Sequence, residues 1–136
     1  MEAVIFNYLA VISAAVASFI LGGIYVALFS KQSAKLNGFT EAEAKEKQKA
    51  NPKGLVGIFL ANLAMAFGVS YLIFALDVHS IVRVLSLEFW LFVGFVGPMS
   101  IGPVLWEGKS IKLWIFNNII NVIALFAMML ILTFWR

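Results

Sequence analysis

The chain has 136 residues, of which 62% are apolar and 12% charged, and its mean hydropathy is +0.97. This is the composition of a membrane protein, because a water-soluble chain of this length needs many more polar residues to cover its core. The absence of cysteine excludes disulfides and thiolate metal sites, and a single histidine excludes a multi-histidine site. The net charge of +3 accompanies no nucleic-acid-binding motif. We expect membrane lipid as a partner, no nucleic acid, no metal and no cofactor.

Four apolar blocks are long enough to cross a bilayer core, which requires about 20 helical residues. They cover residues 3–29, 54–76, 84–106 and 111–135. These blocks predict an all-α integral membrane protein, a single domain over residues 1–136 that forms a four-transmembrane-helix bundle. The first block follows Glu2, where a secretory signal has a basic start, so we interpret it as an uncleaved helix.

The connection over residues 30–53 is the one substantial polar segment. Thr40 and Glu43 have the spacing of a capping box, and Asn51-Pro52 is a helix stop, so a short helix is predicted over about residues 41–50. Its three Glu and three Lys leave no apolar face. We interpret it as a solvated connector, in preference to a helix that docks a partner.

The distribution of basic residues predicts the orientation. Eight Lys lie in the first and third connections, whereas only Arg83 and Arg136 lie on the other side. Cytoplasmic loops carry an excess of basic residues. The sequence therefore predicts a multi-pass protein of the bacterial inner membrane with both termini outside the cytoplasm.

Small residues recur along the first two spans. The first span has a seam at four-residue spacing, formed by Ala10, Ala14, Ser18 and Gly22. The second span adds Gly57, Ala61, Ala64 and Gly68. Such seams allow helix backbones to approach closely in lipid. Packing within the chain and packing against another copy both remain open, and we favour packing within the chain for the small residues of both spans.

The third span contains two helix breaks, Gly97-Pro98 and Gly102-Pro103. Because proline has no N–H, Pro98 deprives the carbonyl of Gly94 of its helical donor, and Pro103 does the same to Met99. A kink is therefore predicted in the third span, where unsatisfied carbonyls in lipid need other donors.

Asparagines in the second and fourth spans lie at a similar predicted depth, and they are Asn62, Asn117, Asn118 and Asn121. Their amide groups could donate to the freed carbonyls and so repair the kink, which is the interpretation we favour. The same amides and the kink could instead line a small polar pocket between spans two, three and four, as broken helices do in transporters.

Few ionisable residues lie near the spans. We interpret Glu88 as an interfacial carboxylate that extends towards water or pairs with Arg83. His79 lies in a short loop and is interpreted as solvated. No nucleophile, base and orienting group occur together, so we expect that the protein is not an enzyme.

Several stretches together resemble a family of bacterial membrane proteins described as domain of unknown function 1761. They are "NYLAVISAAVASFILGGIYVALFSK", "GFTEAEAK", "GFVGP" and "LWEGKSIKLWIFNNIINVIAL". The matching positions would be Asn7, Tyr8, Gly23, Tyr25, Lys31, Lys112 and Asn117 or Asn118. Tyr8 replaces an expected tryptophan and Ser30 an expected glycine. The resemblance covers nearly the whole chain and implies a small four-helix inner-membrane protein, with no settled activity.

Two functions remain open. The leading hypothesis is a structural or interaction protein, either a self-associating bundle, and hence a homo-oligomer, or an accessory subunit of a larger membrane complex. The alternative is a small permeation or ligand-binding protein that uses the polar pocket between spans two, three and four.

Overall fold

The computed structural model describes residues 6–38, 40–50 and 52–135, in which all regular elements are helical. In chain order they are α1 (Tyr8–Leu28), α2 (Ser30–Leu36), α3 (Glu41–Ala50), α4 (Pro52–Ala75), α5 (Ile81–Leu91), a π-helical turn (Phe92–Val96), α6 (Gly97–Ser100), α7 (Gly102–Trp106) and α8 (Ile111–Phe134). Helices α1, α4 and α8 and the segment Ile81–Trp106 are each long and apolar enough to cross a membrane. The predicted all-α, four-helix membrane bundle is confirmed.

The start of α1 is set by a cap. Residues 3–5 of the predicted span lie outside the described residues, and Phe6 and Asn7 are not helical. The side chain of Asn7 accepts a hydrogen bond from the Ala10 N–H at 3.2 Å, which satisfies one of the free donors of the first turn. The other described span bounds differ from those predicted by at most three residues.

Helix α1 packs against α8 and α4, and α8 also packs against the third span, Ile81–Trp106. Two hydrogen bonds fix α1 antiparallel to α8 at both ends. The Asn7 Nδ2 donates to the Trp135 carbonyl at 3.4 Å, and the Tyr25 hydroxyl donates to the Phe116 carbonyl at 2.8 Å. The third span packs mainly on α8, which leaves a space between it and the pair formed by α1 and α4.

The packed core lies in one half of the bundle, which contains the start of α1 and the end of α8 and which we call the terminal half. Its buried residues come from all four spans: Ala10, Val11, Ala14, Ala15, Ala66, Val69, Ile73, Val84, Leu125, Met128, Met129 and Leu132. The opposite half carries α2 and α3, and we call it the connector half. Its helices are less closely packed, so open space is confined mainly to that half.

The two sets of small residues face different surroundings. Ala10, Ala14 and Ser18 of the seam are buried inside the chain, and Gly22 is half-buried. By contrast, the four small residues that the sequence analysis identified in α4 are exposed, so the expectation that they pack within the chain is wrong; we call them the α4 stripe: Gly57, Ala61, Ala64 and Gly68. The seam therefore packs within the chain over most of its length.

The third span changes helix type at its first break. The Gly97 N–H donates to the carbonyl of Phe92, five residues back, which is the bonding of a π turn. At the second break, Ile101 separates α6 from α7 just before Gly102-Pro103. The Ser100 hydroxyl donates to the Gly97 carbonyl at 3.1 Å and accepts from the Trp114 indole at 2.9 Å. A tryptophan of α8 therefore ties this broken segment to its neighbour.

Candidate intramembrane binding cavity

A cavity of about 1070 Å³ lies in the connector half. All four spans border it, and α2 and α3 contribute residues at the connector end. Pockets for small molecules have volumes of roughly 300 to 1,000 Å³, so this space is large enough for a whole ligand. It exists because the third span packs on α8 and leaves its other side facing α1 and α4.

Most of the wall is apolar, but a few polar side chains interrupt it. The polar residues within the spans are Ser18, Asn62, Glu88 and Asn121, while Ser30, Ser33, Lys45 and Lys47 line the connector end. The aromatic side chains of Phe19 and Phe92 also face the cavity. An apolar wall with a few polar groups is typical of a ligand-binding pocket.

One polar contact joins α1 to α4 at the wall. The Ser18 hydroxyl donates to the Asn62 Oδ1 at 2.8 Å, and the Asn62 Nδ2 donates to the Ile58 carbonyl at 3.0 Å. The second bond lies within α4 and fixes which amide atom faces α1. Asn62 is therefore held by two bonds, and Ser18 belongs to the site as well as to the seam.

The asparagines of α8 have different surroundings. Asn118 is 5% exposed, and its Nδ2 donates to the Trp114 carbonyl at 2.8 Å within the same helix. The Asn121 Nδ2 lies 3.5 Å from the Asn118 Oδ1, a long contact, and Asn121 lines the cavity. Asn117 is exposed and, like Asn118, does not line it.

The asparagines do not repair the kink. Among the described residues, none of their hydrogen bonds reaches the carbonyls of Gly94 or Met99. The π turn before Pro98 adapts the backbone instead, because widening the helix changes the spacing of donors and acceptors around the missing N–H. The interpretation that these amides donate to the carbonyls freed by Pro98 and Pro103 is therefore wrong.

The predicted pocket is displaced from the two Gly-Pro pairs. Gly97, Pro98, Gly102 and Pro103 do not line the cavity, and the third span contributes Glu88, Phe92 and Val96 to its wall. The first span, which the sequence-based pocket left out, contributes as well. Of the predicted asparagines, Asn62 and Asn121 meet at this cavity.

Glu88 is a buried acid, which corrects its interpretation as an interfacial carboxylate. The residue is 7% exposed and lines the cavity, whereas Arg83 is exposed and forms no ion pair with it within the described residues. In the part of the chain that the structure describes, the Glu88 Oε1 has no hydrogen-bond partner. A buried carboxyl oxygen without a donor is costly, so this atom marks the site.

The burial of Glu88 follows from the rotation of α5 about its axis. Val84, Leu87, Glu88 and Leu91 share one face of the helix, and that face packs inward. Leu85, Phe89 and Trp90 are exposed on the other side. Both faces of α5 carry large apolar side chains, so the local sequence does not predict which of them packs inward.

The polar connector helix also takes part in the site. Helix α3 has the predicted bounds and cap, since the Thr40 Oγ1 accepts from the Glu43 N–H at 3.2 Å. It packs against α2 and α4, and Lys45 and Lys47 line the connector end of the cavity. The sequence analysis preferred a solvated connector, and the composition of α3 does not by itself indicate this position beside the cavity.

The architecture and the site define a class: a small helical membrane bundle that is packed in one half and has a large, partly open and mostly apolar cavity in the other. The chain belongs to the family described as protein of unknown function (DUF1761), whose model matches residues 9–133. No curated protein and no solved structure matches it. The resemblance to this family is confirmed, and the function has to be argued from the cavity.

Proposed function

We propose that this protein binds a small, largely apolar molecule in its intramembrane cavity and has no enzymatic role. The observation that carries the proposal is the 1070 Å³ space bounded by four spans and interrupted by oriented polar groups. The packed core of the terminal half closes one end, which favours binding over permeation. The ligand would enter from the connector end or from the adjacent lipid.

The polar groups at the wall favour specific recognition of a ligand over non-specific filling of the cavity by lipid. The Ser18 hydroxyl and the Asn62 amide have fixed orientations, because each takes part in the bond between α1 and α4. Few, well-placed polar groups in an apolar pocket fix the orientation of a ligand. The cavity therefore has the properties of a specific site.

The proposal is tested with a variant in which a larger side chain at Gly22, a residue of the seam, fills part of the cavity. A Cβ added at Gly22 would meet no atom within 4 Å, and Gly22 lines the cavity, so we expect the side chain of Gly22→Leu to extend into it. The matched control is Gly57→Leu, which adds the same side chain to the exposed face of α4, where an added Cβ also meets no atom within 4 Å. The probe is N-phenyl-1-naphthylamine, a neutral apolar molecule.

Thermal unfolding of the purified protein in a non-ionic detergent gives the measurement. A ligand at 100 times its Kd stabilises the folded state by about 2.7 kcal/mol. We expect the probe to raise the Tm of the wild-type and Gly57→Leu proteins and to leave that of Gly22→Leu unchanged. Equal shifts in all three proteins would show that the probe acts outside the cavity and would reject the proposal.

A second candidate function is self-association, with another copy of the chain as the partner. The α4 stripe supports it, because four small residues lie exposed on one helix face, where backbones could approach closely. An accessory role in a larger complex would use the same surface.

The variants Gly57→Leu and Gly22→Leu also test self-association, but here Gly57→Leu is the one expected to have an effect. Gly57→Leu should weaken the oligomer because a leucine separates the two backbones, whereas Gly22→Leu should leave it intact. Native mass spectrometry from mild detergent measures the distribution of species. A wild-type protein that is strictly monomeric at all concentrations would contradict self-association and would leave ligand binding unaffected.

A further inference from the structure

We infer that the ligand of the cavity is a lipophilic cation, an organic molecule with an apolar body and one positive charge, and that Glu88 binds the charge. This inference rests on the proposed function, because it names the chemical class of the molecule that occupies the same site. It comes from three observations: the buried acid, the aromatic and apolar wall, and the volume of the cavity.

The first observation is a buried carboxyl oxygen without a partner, on a residue that lines the cavity. Glu88 is 7% exposed, and within the described residues its Oε1 has no donor. It lies seven residues after the start of the third span at Ile81, or about 10 Å along the helix axis. An acid at such a depth is stabilised when a cation or a donor approaches it.

The second observation is the arrangement of groups around that acid. Phe92 is one helical turn after Glu88, and both side chains face the cavity. Phe19 of α1 also lines the cavity. Aromatic rings attract cations through their negative faces, so rings and carboxylate both favour a positively charged ligand.

The third observation separates an organic cation from a metal ion. A volume of about 1070 Å³ is far larger than a bare ion requires. Within the described residues, no three acidic or histidine side chains form a group that could hold a metal. An apolar body is needed to fill the space, and the apolar wall provides its binding surface.

The two lysines at the connector end of the cavity do not argue against a positively charged ligand. Lys45 and Lys47 belong to α3, which lies in the connection outside the four membrane-spanning segments. Among the described residues, Glu88 is the only ionisable residue that a span contributes to the wall. Any charge that the described span residues place on the wall is therefore the negative charge of Glu88.

The test compares tetraphenylphosphonium with tetraphenylborate, which have nearly the same size and shape and opposite charges. Binding to the purified protein is measured by equilibrium dialysis in a non-ionic detergent. Glu88→Gln keeps the shape of the side chain and removes its charge, and Glu107→Gln is the control, because Glu107 is exposed in the loop before α8. Since each probe partitions equally into detergent for every variant, the difference between variants is the result.

We expect Glu88→Gln to weaken tetraphenylphosphonium binding about tenfold or more, because it removes a charge interaction in a poorly solvated site. The affinity for tetraphenylborate should stay the same or rise, and Glu107→Gln should change neither affinity. Unchanged binding of the cation by Glu88→Gln would overturn the inference.

Neutral N-phenyl-1-naphthylamine distinguishes this failure from that of the proposed function. If it binds equally to the wild-type and Glu88→Gln proteins while the cation shows no preference, the cavity is a site but not one for cations. If neither molecule binds to the wild type, the proposed function fails. Should Glu88→Gln not fold, competition on the wild type decides: tetraphenylphosphonium should displace the neutral probe more effectively than tetraphenylborate, and the reverse order would refute the inference.

Discussion

At the scale of single residues, the polar groups of this bundle differ in how far the protein satisfies them. Asn62 takes part in two hydrogen bonds and joins two helices, whereas Asn118 bonds to its own helix. Glu88 is buried to a similar degree as Asn118, yet its Oε1 has no partner among the described residues. Hydrogen-bonded asparagines stabilise a membrane fold, while an unsatisfied acid is costly, which is why the proposed site is centred on Glu88.

The bond between Ser18 and Asn62 gives a prediction for stability. Interhelical hydrogen bonds in a membrane protein contribute about 0.6 kcal/mol on average and at most about 1.7 kcal/mol. We expect Ser18→Ala and Asn62→Ala each to destabilise the bundle and their double-mutant cycle to show a coupling in this range. Unfolding by sodium dodecyl sulfate in mixed micelles measures it.

Asn117→Ala is the matched control for that cycle, since Asn117 is exposed and lies outside the cavity. Its effect should add to that of Ser18→Ala without coupling. A cycle of Ser18 and Asn62 with no measurable coupling would show that the bond does not contribute to stability.

At the scale of elements, the third span is the irregular one, and its irregularity is local. A π turn precedes the first Gly-Pro pair, and a one-residue interruption at Ile101 precedes the second. Pro98 and Pro103 explain the positions of both breaks, because each removes a helical donor. The wider turn also carries Phe92 and Val96, which line the cavity, so the break helps to shape its wall.

Gly97 should be essential to this turn. A Cβ at position 97 would lie 3.0 Å from the Phe92 carbonyl oxygen, a backbone atom that cannot move without altering the π turn. We expect Gly97→Ala to destabilise the protein by about 1 to 3 kcal/mol, as overpacking typically does. The change in unfolding free energy in mixed micelles measures the effect.

Gly94→Ala in the same turn is the control. A Cβ there would meet no atom within 4 Å, and alanine favours helices over glycine by roughly 0.5 to 1 kcal/mol. Gly94→Ala should therefore be neutral or stabilising. If both substitutions had the same effect, close packing at the turn would not be the cause.

At the scale of the whole molecule, the bundle is packed at one end and open at the other. The core of the terminal half includes residues from all four spans, while the connector half contains the cavity beneath α2 and α3. Water or lipid can therefore fill the cavity when no ligand is bound. The direction in which the cavity opens depends on the orientation of the bundle in the membrane.

The excess of lysine in the connections predicts that the connector half faces the cytoplasm. Because the native chain has no cysteine, single cysteines can be introduced without background. We expect Ala42→Cys in α3 to react only with a membrane-permeant maleimide in intact cells. His79→Cys, in the loop between α4 and α5, should react with an impermeant one. The opposite pattern would reverse the orientation and place the opening of the cavity outside.

The sequence alone determined the features that depend on the length of the apolar blocks, on hydrogen bonds between neighbouring residues and on the N–H groups that prolines lack. Four apolar blocks define four spans, Thr40 caps α3, and the Gly-Pro pairs mark where the third span changes. Each of these follows from a local property of the chain, such as the hydropathy of about 20 consecutive residues or the missing N–H of proline.

Only the tertiary structure decided how each helix is rotated about its axis. Rotation brought Ser18 to Asn62, turned the α4 stripe outward and placed Glu88 in the cavity. In water, an apolar stripe reveals the inner face of a helix, but lipid is as apolar as the core, so both faces of a spanning helix have similar residues. The inner face is then chosen by packing between helices that are distant in sequence, and hydropathy along the chain does not record that choice.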